Sequence, residues 1–261
     1  MNTRIKKIGF EIEGEFTQRF IDLLNNPTFG TIKEDRSVHA CTCENDSMPD
    51  HAKALRRQYR TKKTLEKLEP YEYASIPFET IQQATDMLDM FERAWKTGQY
   101  HHNNSAGFHV HVSFVPKLPC EIMSREFATY FTKAMQKQLP QEYETRKDNR
   151  YCKARARYTD NKIRTDSRYT AINMYPAFRA HGTIEFRIFP TAQPKKMKQY
   201  LLFTIGTIKA YLQLCKTQGI KRRLCVPCDD ALTPLTETIT ETCFLPNCSA
   251  NNGSAPLIVN I

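Results

Sequence analysis

Three segments of the sequence alternate between apolar and polar side chains, and this pattern constrains the fold more than any other feature. The segments are GFEIEGEF from Gly9, GFHVHVSF from Gly107 and GTIEFRIFP from Gly182. Side chains of a β-strand point to opposite faces in turn. Each segment is therefore predicted to be a strand with one apolar face and one polar face.

The polar faces of the three predicted strands carry mostly carboxylates and imidazoles. They hold Glu11, Glu13, Glu15, His109, His111, Ser113, Thr183, Glu185 and Arg187. If the strands share one sheet whose apolar side packs on helices, these side chains form a single polar floor. Carboxylates bind hard cations, neutral imidazole binds metals, and the guanidinium fork suits phosphate or carboxylate oxygens. The floor as a whole indicates metal-assisted phosphoryl chemistry.

Each motif taken alone also has a simpler interpretation. The acidic strand could be an amphipathic edge strand with a solvated acidic face. The two histidines could be solvated or could form a zinc pair. Glu185 and Arg187 could form an exposed ion pair that contributes little to stability. The occurrence of three such strands in one chain favours a joint site.

The pattern between the strands indicates an α+β fold. Helical periodicity predicts helices over residues 17–26, 79–97, 124–138 and 195–217. Strands interleave with helices, and no glycine fingerprint of a βαβ unit is present. We expect one catalytic domain over residues 1–220 and a polar, cysteine-containing extension over residues 221–261.

The charge balance favours anionic partners. The chain has 38 basic and 28 acidic residues, which gives a net charge of +10. Residues 143–168 contain nine basic and four acidic side chains, a local net charge of +5. This stretch is predicted to contact phosphate, although such runs are usually solvated surface. The tyrosines between its cations could also stack on bases, so nucleic acid is a second candidate partner, which we favour less than ATP.

The cysteines and the hydropathy pattern predict a cytoplasmic protein without membrane contact. Nine cysteines, an odd number, accompany no secretion signal, and the longest membrane-like patch, YLLFTIG, is far too short to span a bilayer. Reduced thiols are therefore expected. In the tail, C-x2-C-x14-C-x4-C approaches zinc-ribbon spacing, so the tail holds either structural zinc or unpaired thiols. The ligands would be Cys225, Cys228, Cys243 and Cys248, and a second small set would be His39, Cys41, Cys43 and His51.

Several segments together resemble the amidoligase family of the glutamine synthetase-like, carboxylate–amine ligase class. GFEIEGEF resembles the opening strand of the family, and DRS at residues 35–37 resembles its aspartate–serine segment. EYASIP resembles the segment that carries a family glutamate, which places that glutamate at Glu72. SAGFHVHVSF resembles its histidine strand, and RYTAINMYPAFRAHGTIEFRIFPT resembles its closing block. The blocks follow the family order over residues 7–191.

The resemblance implies a curved, mainly antiparallel sheet backed by helices, with ATP and Mg²⁺ on its polar face. It implies ATP-dependent joining of a carboxylate to an amine through an acyl phosphate. The implied Mg²⁺ ligands are Glu11, Glu13, Glu72, His109 and Glu185. His111, Arg168 and Arg187 are expected to bind phosphate. Asn173 and Arg164 are expected to contact substrate, and the catalytic set would be Glu11, Glu13, His109, His111, Glu185 and Arg187.

Two other function classes remain open at the level of sequence. One is a nucleic-acid-binding protein that uses the basic stretch and a zinc-binding tail. The other is a metal-dependent hydrolase or nuclease built on the glutamate–histidine floor. The ligase interpretation uses all three strands at once. It leaves open the identity of the carboxylate and the amine, which could belong to peptides or proteins, and the oligomeric state.

Overall fold

A computed structural model describes residues 4–35, 38, 68–102, 106–115, 119–149, 151–154, 170–174 and 182–219. Over these residues the chain forms an open antiparallel sheet of seven strands with five helices. The predicted α+β class is therefore confirmed. The strands are β1 (Arg4–Thr17), β2 (Gly30–Glu34), β3 (Leu68–Ser75), β4 (Tyr100–His101), β5 (Gly107–Val115), β6 (Ile172–Asn173) and β7 (Thr183–Pro190).

The three strands predicted from alternation lie side by side in this sheet. The strand order is β2-β3-β1-β5-β7-β6, and β4 pairs with the end of β1. Register places Glu11 opposite His109 and His111 opposite Glu185. Cross-strand partners share a face in an antiparallel pair, so the polar sides of β1, β5 and β7 form one continuous surface.

The helices are α1 (Gln18–Leu24), α2 (Ile81–Lys96), α3 (Arg125–Gln138), α4 (Pro140–Arg146) and α5 (Pro194–Thr217). Side chains fix three of their N-termini. Thr17 and Ser124 each accept a hydrogen bond from the first turn of α1 and α3, and Thr80 forms a capping box with Gln83 on α2. Among the helices that the structure describes, none combines the length and apolar composition needed to cross a bilayer.

The core lies between the apolar face of the sheet and the helices. Phe16 of β1 packs against Phe91 of α2, and Phe186 of β7 packs against Phe131 of α3, with ring centroids 6.2 and 4.7 Å apart. All four rings are at most 1 % exposed. Each fully buried ring contributes about 1.5–3 kcal/mol of hydrophobic stabilisation. This dense aromatic layer holds the backbone of the polar face rigid from behind.

Several elements differ from those predicted. β2, β3, β4 and β6 were not predicted from the alternating pattern, and β1 begins at Arg4, earlier than the alternating segment from Gly9. The helix predicted over residues 124–138 ends at Gln138 as expected, but a further helix, α4, begins at Pro140, because proline fits the first turn, where its missing N–H is not needed. The predicted extension over residues 221–261 lies outside the described residues, so the domain boundary stays a prediction.

One buried carboxylate anchors α4 to α5. Glu142 Oε1 lies 2.8 Å from Lys196 Nζ and 3.3 Å from the Tyr200 hydroxyl, which donates to it. Burial alone would raise the pKa of Glu142. The hydrogen bonds from Lys196 and Tyr200 outweigh it, and the pKa is lowered.

Glu142→Gln should therefore cost stability in a pH-dependent way. A carboxyl group whose pKa is lower in the folded than in the unfolded chain stabilises above its unfolded pKa, and this stabilisation is lost as pH falls. We expect a lower melting temperature than wild type at pH 7, and a difference that shrinks below about pH 4. Calorimetry across pH measures this. Glu144→Gln, on the exposed side of α4, is the control; an equal, pH-independent loss in both variants would contradict the assignment.

Candidate functional site

His109 of β5 lies at the centre of the polar face. Its Nδ1 is 3.0 Å from Glu11 Oε2 and 3.5 Å from Glu185 Oε1, and its Nε2 is 3.6 Å from Glu13 Oε1. The imidazole side chain is only 3 % exposed. A single buried ring therefore contacts carboxylates from the strands on both sides of it.

His111, two residues along the same face, contacts the outer side of Glu11. Its Nε2 lies 3.3 Å from Glu11 Oε1. That nitrogen is buried and has no hydrogen bond of good geometry. A buried imidazole nitrogen of this kind can coordinate a metal ion through its lone pair, or, when it carries a proton, donate a hydrogen bond to a polar ligand.

A β-bulge interrupts the pairing of β5 and β7 next to Arg187. The register between β5 and β7 shifts by one residue between Phe108 and Val110. The extra residue lies on β7, where Ile188 and Phe189 are buried in succession. Bulges bend a strand and redirect its side chains, and they are frequent beside active sites.

Glu185 accepts hydrogen bonds from two polar side chains, those of Arg187 and Asn173. Its Oε1 accepts a hydrogen bond of 2.5 Å from Arg187 Nη1, and its Oε2 accepts one of 2.7 Å from Asn173 Nδ2. Arg187 Nε is buried and makes no hydrogen bond. Glu185 thus orients a guanidinium group that keeps an unused donor.

The second half of the face lies across β1 and β3. Register places Glu13 opposite Glu72, and Glu13 Oε2 accepts a hydrogen bond of 2.6 Å from the Gly107 backbone N–H. Asp35, just after β2, brings a third carboxylate to this pair. Lys33 Nζ lies 2.9 Å from Glu72 Oε1, but the lysine side chain is 73 % exposed. A surface pair of this kind is weak, so Lys33 neutralises Glu72 only in part.

Electrostatics differ between the two halves of the face. Burial would raise the pKa of Glu11, but the close contacts and the charges of His109 and His111 hold its pKa well below the usual range. Burial is the main cause of the raised pKa of Glu13, and the charges of Asp35 and Glu72 add to it while His109 opposes it. Burial would lower the pKa of His111, but Glu11 and Glu185 raise it overall. The face is therefore charged yet only partly neutralised.

Two groups of side chains could each hold a metal ion. One group is Glu11, His111 and Glu185, and the other is Glu13, Asp35 and Glu72; in each group the ligand atoms lie within 4.8 Å of one another. The second group offers only carboxylate oxygens, which suits Mg²⁺, Mn²⁺ or Ca²⁺. The first includes the buried His111 nitrogen that lacks a hydrogen bond. The donor set therefore fits divalent cations.

Comparison with known families agrees with this geometry. A family model described as "Putative amidoligase enzyme" matches residues 4–159. The chain belongs to the amidoligase family. The match includes β1, β3 and β5 and ends before β7. Asn173, Glu185 and Arg187 lie outside the matched residues, and the pairing of β6 and β7 in the sheet places them on the polar face. No curated protein matches the chain significantly. Family membership makes the protein an enzyme of the ligase type.

The predicted site residues of this amidoligase fall into two sets. Glu11, Glu13, Glu72, His109, His111, Asn173, Glu185 and Arg187 meet on one face of the sheet. Arg164, Arg168, the tail cysteines and the set of His39, Cys41, Cys43 and His51 lie outside the described residues, so their roles stay predictions. Glu15, on the same face as Glu11, instead contacts buried His101 at 3.3 Å.

Sequence reasoning missed two side chains of the amidoligase site. Asp35 completes the second acidic group, and the aspartate in the DRS segment was the available signal. Arg146, at the end of α4, approaches Gly107 on the polar face. It was included only within the general basic stretch, because nothing in a run of nine cations singles out one of them.

Gly107→Ala should disturb the centre of the site, whereas Gly9→Ala should not. A Cβ at Gly107 would lie 2.7 Å from His109 Nε2 and 3.2 Å from Glu13 Oε2. A Cβ at Gly9 would meet its neighbours at 3.7 Å or more, an ordinary contact. We expect the imidazole NMR resonances of His109 to shift in the first variant only. Unchanged His109 resonances in Gly107→Ala would show that the glycine is not required for this packing.

Proposed function

We propose that this amidoligase forms an amide or isopeptide bond between a carboxylate and an amine, with ATP as the energy source and Mg²⁺ as cofactor. The observation that supports this most is the pair of potential cation sites on one sheet face, joined at Glu11, His109 and Glu13. Phosphoryl transfer from ATP uses divalent cations on the β- and γ-phosphates and cationic side chains on the transferred group. This face carries potential ligands for such cations and a cationic side chain, Arg187.

The carboxylates of this face would hold the Mg²⁺ ions of the nucleotide. Glu11 and Glu185 with His111 form one ligand set, and Glu13, Asp35 and Glu72 form the other. Mg²⁺ held by these residues would supply positive charge that stabilises the anionic phosphates. His109, which contacts both halves of the face, keeps the glutamates apart and oriented.

The chain's own cations would stabilise the transferred phosphoryl group. In the first step, a substrate carboxylate oxygen attacks the γ-phosphorus, the bond to the β,γ-bridging oxygen breaks, and ADP leaves. Arg187, oriented by Glu185, has an unused Nε donor for the developing charge. In the second step, the amine nitrogen attacks the acyl carbon, inorganic phosphate leaves, and the amine loses a proton. Asn173, already bonded to Glu185, is placed to orient a substrate.

Calorimetric titration with a non-hydrolysable ATP analogue tests the first part of this proposal. We expect wild type to bind the analogue only with Mg²⁺ present. Glu185→Gln should weaken that binding at least about tenfold, because it removes a ligand and releases Arg187 and Asn173. Glu144→Gln, an exposed carboxylate on α4, should bind as wild type does.

Turnover is the second readout. The double variant Glu11→Gln/Glu185→Gln should lose carboxylate- and amine-dependent ADP release while its circular dichroism spectrum stays native. Full activity in this variant would refute the ligase assignment. Cleavage of phosphodiesters without ATP would instead favour a metal-dependent hydrolase on the same face.

The two cation groups predict two metal sites that can be removed separately. With Mn²⁺ in place of Mg²⁺, electron paramagnetic resonance titration should count two ions per wild-type chain in the presence of the nucleotide analogue. Glu72→Gln should lose one of these ions and Glu185→Gln the other, each through at least about tenfold weaker binding. A single Mn²⁺ in wild type, or loss of both ions in Glu72→Gln, would contradict two independent groups.

A further inference from the structure

Arg146 is a buried cation that forms no ion pair with any residue the structure describes. It is the last residue of α4 and is only 4 % exposed. Its Nε and Nη1 are buried and make no hydrogen bond. An arginine removed from water without a partner is costly, so most buried arginines are paired.

The carboxylate that would normally neutralise this arginine is already engaged. Glu142 lies four residues earlier on the same helix, the spacing at which helical side chains form ion pairs. Its Oε1 instead contacts Lys196 Nζ at 2.8 Å and the Tyr200 hydroxyl at 3.3 Å. The position of Arg146 at the end of α4 is favourable for a cation, but it provides no acceptor for Nε or Nη1.

The guanidinium group reaches the polar face of the sheet at Gly107. A Cβ built on this glycine would lie 3.3 Å from Arg146 Nη2, and also 2.7 Å from His109 Nε2 and 3.2 Å from Glu13 Oε2. These three groups therefore surround the same small space above the β5 backbone. Glycine leaves this space open, where any other residue would fill it.

A second cation, Arg187, acts on the same buried thiol as Arg146. Arg187 also has a buried Nε that makes no hydrogen bond. Burial raises the pKa of the Cys152 thiol, and the positive charges of both Arg146 and Arg187 act on that thiol in the opposite direction. Both guanidinium groups are therefore near one buried side chain, and both have donors to spare.

We propose that Arg146 binds an oxyanion of a substrate in the space beside Gly107, with Arg187 as the second cation. The planar guanidinium fork matches the paired oxygens of a carboxylate or a phosphate. The group bound is either a phosphate of the nucleotide or the carboxylate of the acyl substrate. This inference rests on the proposed ligase function, because both anions are substrates of that reaction.

The test compares Arg146→Met with wild type in the full chain. Methionine keeps much of the volume and removes the charge, and Arg19→Met, an exposed arginine on α1, is the matched control. Melting temperatures would be measured without ligand, with inorganic phosphate, with succinate and with the Mg²⁺ complex of the ATP analogue. Sodium chloride at equal ionic strength controls for screening.

Without ligand, Arg146→Met should melt at or above the wild-type temperature, because it removes an uncompensated buried charge. The affinity for at least one of the three anions, taken from its titration, should fall about 10- to 100-fold. Arg146→Lys should recover part of that affinity, since it restores the charge but not the fork. A loss confined to phosphate and nucleotide identifies the phosphate as the bound group, and a loss confined to succinate identifies the carboxylate.

Other outcomes separate this inference from the proposed function. If phosphate or succinate binding depends on Arg146 but the nucleotide complex does not bind wild type, the anion site stands and the ATP-dependent function fails. If Arg146→Met binds all three anions as wild type does, or if none of them stabilises wild type, the anion site is refuted. Lower stability of Arg146→Met with unchanged anion binding would also refute it, because that result describes a structural arginine.

Discussion

Like-charge repulsion between carboxylates on one sheet face is the constraint on which the rest of this structure depends. Glu11, Glu13 and Glu72 lie on adjacent strands and are only partly exposed. Such a group is unfavourable unless cations stand among the carboxylates. His109 contacts Glu11 and Glu13 within the sheet, and Lys33 contacts Glu72 from an exposed position. The arrangement is therefore suited to ligands that bring positive charge, which divalent cations do.

The hydrophobic core, on the opposite side of the sheet, holds this unfavourable polar face in place. The aromatic core fixes β1, β5 and β7 through residues such as Phe16, Phe131 and Phe186, which alternate with or pack beneath the charged positions. Their burial offsets the cost of the polar face. A sheet packed in this way also keeps the carboxylates at fixed separations. Such preorganisation is what catalysis by positioning and electrostatics requires.

The sequence predicted the centre of the site well because period-two alternation is a local signal. It placed Glu11, His109 and Glu185 on one face before any contact between the strands was known. The strand that carries Glu72 has no clear alternation, and only its family resemblance indicated that residue. Asp35 lies near Glu13 and Glu72 because β2 pairs with β3, a long-range contact that the residues around Asp35 do not predict. The role of Arg146 could not be predicted for a different reason. Its burial distinguishes it from the other basic residues of its segment, and burial is not visible in the residue type.

The positions of the two arginines complete the electrostatic argument. The carboxylates occupy β1 and β3, whereas Arg187 lies on β7 and Arg146 at the end of α4. Arg146 forms no ion pair with Glu13, although both adjoin Gly107. A direct pair would neutralise both groups and close the space between them. Because they remain apart, the proposed anion would have the arginine on one side and the glutamate on the other. Separation of unlike charges is thus what the proposed anion site requires, and their pairing would remove it.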